Sequence, residues 1–190
     1  MTLTGLLPVL LEDPAVTTLV DLADPARTDT GAVDVVCSEG LRPPLLAALA
    51  AHRPLLVVTA TAREADDTVA GLRSFLPEGA VVGFPAWETL PHERLSPRSD
   101  TVAERLQVLR RLAHPGQHPG QDPIRVVVAP VRSVMQPFAV GLGDLPETRL
   151  RVGDEVDLDD VRHGRRTARP GQGTSINDTS RRPRATATTP

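Results

Sequence analysis

The sequence predicts an α/β domain built on an open parallel sheet, and three observations lead there. Short β-branched and aliphatic runs alternate with amphipathic stretches between residues 32 and 135, the rhythm of strand and crossover helix. The run Leu55-Leu56-Val57-Val58 is apolar at every position, as expected of a strand covered on both faces of a parallel sheet. Threonine followed three residues later by glutamate occurs at Thr61/Glu64 and Thr101/Glu104, and each pair predicts a capping box that starts a helix.

Taken in order, Leu3, Leu6, Leu7, Leu10 and Leu11, then Val16, Leu19, Val20 and Leu22 beyond Pro14, predict two short amphipathic helices. Ala32 to Cys37, carrying Val33, Val35 and Val36, predicts the first strand, followed by a loop from Ser38 to Arg42. Pro43 suits the first turn of a helix whose apolar stripe is Leu45, Leu46 and Leu49. The second strand is Leu55 to Val58, and the helix opened by Thr61 buries Ala65, Val69, Leu72 and Leu76. Ala80 to Phe84 predicts a third strand. A proline-punctuated loop then leads to a helix with Val102, Leu106, Leu109 and Leu112 on one face. His114 to Gln121 is His-Pro-Gly-Gln written twice. Its prolines and glycines bar a helix, so His114 and His118 are not read as an i, i+4 metal pair. Ile124 to Ala129 predicts the fourth strand and Val131 to Met135 a short helix.

Composition removes several chemistries. All 21 basic residues are arginine, so neither a phosphate-loop lysine nor a lysine nucleophile is available. The single cysteine, Cys37, cannot form an internal disulfide; it reads as a small thiol in the core, with a nucleophile as the alternative. Aromatic residues are 2% of the chain, so the core is aliphatic. The chain opens without a basic, apolar leader, and charges or prolines interrupt every candidate span, which predicts a cytoplasmic protein without membrane contact.

In an open α/β sheet the loop after the first strand is where a phosphate would sit. Here it reads Ser38-Glu39-Gly40-Leu41-Arg42-Pro43-Pro44. Aligned on Gly40, Pro43 and Pro44 stand where a working loop has lysine and a hydroxyl, two backbone donors are gone, and Glu39 is negative. Arg42 alone offers an anion contact. The loop is read as an ordinary strand-to-helix turn, with no cofactor and no nucleotide hydrolysis.

Charge divides the chain. Residues 162–190 hold seven arginines against Asp178, with Ile176 their one large aliphatic residue, while residues 1–161 hold 14 arginines against 23 acids. Such a tail buries too little apolar surface to order itself and is expected to be disordered. A reading-frame change or abnormal terminus is the favoured explanation of residues 162–190. The alternative is a stand-alone nucleic-acid-binding protein acting through its arginine-rich tail.

The most specific stretch is Phe84-Pro85-Ala86-Trp87-Glu88-Thr89-Leu90-Pro91-His92-Glu93-Arg94-Leu95-Ser96-Pro97, then Ser99-Asp100-Thr101-Val102-Ala103-Glu104-Arg105-Leu106. Trp87 is read as the aromatic anchor of a proline-stiffened loop. Glu88, Glu93 and Asp100 lack a catalytic companion and are expected to cap helices and pair with Arg94, Arg98 or Arg105.

This stretch resembles the N-terminal module of the bacterial transcription-repair coupling factors, itself similar to the first domain of the damage-recognition helicase subunit of excision repair. The signature residues are Trp87, Glu88, Thr89, Leu90, Pro91, Ser96, Pro97, Asp100 and Arg105. Val126 to Pro130, running into Val131 to Gln136, follows in the same order. The resemblance implies a RecA-like, helicase-type domain with a degenerate phosphate loop over residues 1–137. It also implies the start of an inserted partner-binding domain over 138–161, where Leu150, Val152 and Val156 would form its entry. Family membership further implies a multidomain, ATP-driven DNA translocase with RNA polymerase, excision-repair subunits and DNA as partners. For this chain it implies a noncatalytic scaffold without the motor.

Overall fold

The computed structural model describes residues 3–24, 26, 31–89, 97–117, 121–137 and 139–145, all within one unit, Met1–Leu145. The second unit, Pro146–Pro190, lies outside the described residues, and with it the expected disordered tail and Leu150, Val152 and Val156.

A 3-10 turn at Thr4–Leu6 leads into α1 (Leu7–Leu10) and α2 (Pro14–Leu22), as the leucine spacing predicts. Asp13 caps α2, accepting from the Ala15 amide at 2.8 Å. Next come α3 (Arg42–His52), β1 (Leu55–Thr59) and α4 (Ala62–Leu72). The Thr61 half of the expected capping box forms, the Glu64 amide donating to Thr61 Oγ1 at 3.1 Å, while the Glu64 carboxylate accepts from the Ala60 amide, one residue before the cap, at 3.1 Å. Then follow β2 (Val81–Gly83), α5 (Ser99–Ala113), β3 (Val126–Pro130) and α6 (Val131–Met135).

The three described strands are parallel in the order β1-β3-β2, with Leu55 opposite Val126 and Val81 opposite Val126 on the other side. The path steps from β1 across to β2 and then back to β3. Right-handed crossovers in opposite directions place their helices on opposite faces. Accordingly Ala65, Val69 and Leu72 of α4, with Ala47 and Ala50 of α3, cover Val81, Val126 and Val128. Val108 and Leu109 of α5 cover the alternate residues Val82, Val127 and Ala129.

Three expectations are corrected. Ala32 to Cys37 forms no strand: residues 31–38 carry no regular structure, Val33 and Val35 are exposed, and Val36 is 100% exposed. Strand propensity needs a ladder and a packed face, and no described strand runs alongside this segment. β1 is not covered on both faces, because α5 reaches only β2 and β3 and leaves Leu56 60% and Val58 49% exposed. Finally, α5 starts at Ser99 without the expected box. Thr101 donates its hydroxyl to Glu88, and the helix buries Thr101, Arg105 and Val108 while Leu112 is exposed.

Candidate functional site

Phe84 keeps one last ladder bond beyond β2, its amide donating to the Val128 carbonyl at 2.8 Å, and from Pro85 to Glu88 the segment is held by side chains instead. From α5, Arg105 projects beneath it and is 1% exposed. Its guanidinium lies over the Phe84 ring at 4.1 Å and the Trp87 ring at 4.4 Å, a cation–π sandwich. Arg105 Nη1 donates to the Pro85 carbonyl at 2.6 Å and to Ser133 Oγ at 2.8 Å. Ser133, fully buried on α6, donates in turn to the same Pro85 carbonyl at 3.0 Å. Just beyond α6, the Gln136 side-chain amide pairs with the Trp87 backbone, accepting from its N–H at 2.7 Å and donating to its carbonyl at 3.1 Å. That amide does for Trp87 what a neighbouring strand would do.

Electrostatics follow from this packing. Burial pushes the Arg105 guanidinium below its usual pKa, because the charged form loses water. The Thr101 hydroxyl, donating to Glu88, holds that exposed carboxyl below the ordinary glutamate range. Asp100 pairs with Arg98 at 3.3 Å, as expected, whereas Arg105 makes no described ion pair. Among the described residues, two aromatic rings, a carbonyl and a hydroxyl surround Arg105 where a carboxylate was expected. Thr89 and Pro97 are half-buried, and Leu90, Pro91, Glu93, Arg94 and Ser96 lie outside the described residues.

A cleft of about 910 Å³ runs around the free edge of β2, with α4 on one side and α5 on the other. Its rim at the carboxyl ends of the strands includes Ala60, Pro85, Trp87 and Pro130, the position where open α/β sheets place their ligands. The charged lining mixes signs: Asp66, Glu78, Glu88 and Glu104 stand with Arg73, Arg111 and Arg132. Among the described residues no group of three or more His, Cys, Asp or Glu is placed to hold a metal.

The Ser38 to Pro44 loop, expected to be a degenerate phosphate loop, lies outside this cleft. Gly40 lies in a 3-10 turn, Glu39–Leu41, and Pro43 and Pro44 occupy the first turn of α3. No strand precedes the turn, which corrects the expected strand-to-helix geometry. Arg42 faces Glu64 at 3.6 Å, with both side chains substantially exposed. Pro43 packs so closely on α4 that a Cβ at Gly71 would come within 2.8 Å of its Cγ. Pro43 therefore serves the packing of α3 on α4. Cys37 is half-buried, and among the described residues no helix is long and apolar enough to cross a membrane.

Over 157 residues, 83% of its length, the chain is 46% identical to the transcription-repair-coupling factors of Mycobacterium bovis and Mycobacterium tuberculosis. The chain belongs to the transcription-repair coupling factor family. No family model matches it. It spans 12% of the length of these two relatives. Sequence reasoning had placed Trp87 and Arg105 in the coupling-factor signature but missed the roles of Phe84, Ser133 and Gln136. The available signal was a serine set among Val131, Val134 and Met135, with a glutamine at the helix exit.

Proposed function

We propose that this chain is a noncatalytic scaffold portion of a transcription-repair coupling factor, corresponding to the N-terminal module of that family. The whole protein couples the removal of stalled RNA polymerase to nucleotide excision repair through ATP-driven translocation on DNA. The observation that carries this reading is the 46% identity across 83% of the chain. The chemistry around Gly40 supports the noncatalytic part: two prolines without amide donors and an arginine facing Glu64 offer a triphosphate little to bind. The scaffold acts by presenting a rigid segment, Phe84 to Glu88, clamped onto α5 and α6. RNA polymerase, excision-repair subunits and DNA are the partners of the assembled protein, and its motor lies outside residues 1–190.

A chimera tests the proposal. The aligned segment of the mycobacterial factor is replaced by residues of this chain, and strand-specific repair of a transcribed template is measured. Repair is expected to persist in the chimera. A soluble, DNA-translocating chimera that no longer couples repair to transcription would refute it. The chain alone is expected to hydrolyse ATP no faster than buffer, with or without DNA.

A further inference from the structure

A guanidinium that is 1% exposed usually faces a carboxylate, since an uncompensated charge at that depth is costly. Arg105 spends only Nη1, on Pro85 and Ser133, while Nε and Nη2 are buried without a hydrogen-bond acceptor among the described residues. Both faces of the group are taken by Phe84 and Trp87. What stays unbonded is one buried edge, the side-on pair of Nε–H and Nη2–H. Two parallel donors at that spacing match the two oxygens of a carboxylate, the bidentate geometry in which arginine binds most strongly. The edge is also fixed in place, because the stacked rings and the two Nη1 bonds remove the freedom that an exposed arginine would lose on binding.

Among the described residues, the acids flanking this segment and at the start of α5 are committed or face water. Glu88 accepts from Thr101, Asp100 pairs with Arg98, and Glu104 is exposed on the cleft side of α5. We propose that the Nε/Nη2 edge of Arg105 is a receptor for a single carboxylate group presented by a second molecule. The group enters beside Trp87, where the clamped segment borders the cleft. Entry needs only local displacement of Pro85 to Glu88, which side-chain hydrogen bonds hold beyond the last ladder bond at Phe84.

Trp87 is the only tryptophan and lies 4.4 Å from the guanidinium, so its emission reports occupancy of the edge. Sodium formate, the smallest carboxylate probe, is titrated into the 190-residue chain at constant ionic strength against sodium chloride. Formate is expected to change the emission saturably, with half-saturation in the millimolar range, and chloride is not. Arg105→Lys keeps the charge but lacks the fork, and is expected to weaken the response by about tenfold or more. Arg105→Gln serves if the lysine variant loses its far-UV circular dichroism, and the same loss is expected. A non-saturating, chloride-like response in the unsubstituted chain overturns the proposal and leaves Arg105 as a stacked clamp. A saturable response that survives both substitutions overturns it equally, by placing the site elsewhere.

Discussion

Replacing Ser133 by alanine tests whether the Phe84 to Glu88 segment is held by a connected polar network. The hydroxyl accepts from Arg105 Nη1 at 2.8 Å and donates to the Pro85 carbonyl at 3.0 Å, with no solvent at hand to replace either bond. A hydrogen bond to a charged group is worth about 1.5–3 kcal/mol and a neutral one about 1 kcal/mol. Pro85 keeps Arg105 as a donor at 2.6 Å, so only part of the second contribution is lost. Ser133→Ala is therefore expected to destabilise the chain by about 2–3 kcal/mol. In an Arg105→Met background the charged partner is already absent, and the same substitution is expected to cost about 1 kcal/mol. The difference, about 1.5 kcal/mol, is the coupling between the two side chains. Urea unfolding followed by far-UV circular dichroism measures all four corners of the cycle without relying on Trp87, whose surroundings both substitutions alter. Equal costs in the two backgrounds would refute the network and leave Ser133 as a small residue chosen for space.

Three further outcomes are expected. Gly71→Ala, normally favourable inside a helix, is expected to destabilise by about 1–3 kcal/mol, because the new methyl meets Pro43 Cγ at 2.8 Å; thermal melting checks the sign. Thr61→Ala removes the cap of α4 and is expected to cost about 1 kcal/mol in urea unfolding. The depressed pKa of Glu88 makes its contribution present above the unfolded glutamate pKa and lost as pH falls through the lower folded value; in Thr101→Val that acid-side loss is expected to shrink, as read from melting temperature against pH.

Much of the fold was legible because local signals and tertiary packing agree. Thr61 and Glu64 mark the start of α4 in the sequence and cap it in the structure, and the spacing of Ala65, Val69 and Leu72 names the face that is buried. Agreement failed where a residue's fate depends on a distant neighbour. Val33, Val35 and Val36 have strand propensity but no adjacent ladder. Leu56 and Val58 look like interior residues, yet α5 stops short of β1. Arg105 is the strongest case. Helical periodicity assigned the buried stripe of α5 to its leucines, but two aromatic rings and the Pro85 carbonyl draw the guanidinium inward and turn the helix onto Thr101, Arg105 and Val108. Of the signature residues, Trp87, Glu88 and Arg105 come together with Thr101, while Asp100 stays outside on Arg98.

The strand order also sets a timetable for the chain as it is made. β1 and β2 do not bond to each other; each waits for β3, the last of the three described strands to be synthesised, which inserts between them. Until Val126 to Pro130 emerge from the ribosome, α3, β1 and α4 hold an apolar face with no sheet to complete it, as does β2 beside them. Chain elongation at about 5–20 residues per second makes that interval several seconds long. Folding is thus gated by the arrival of one five-residue strand, and slower decoding just upstream of β3 would prolong the period in which nascent chains stick to one another.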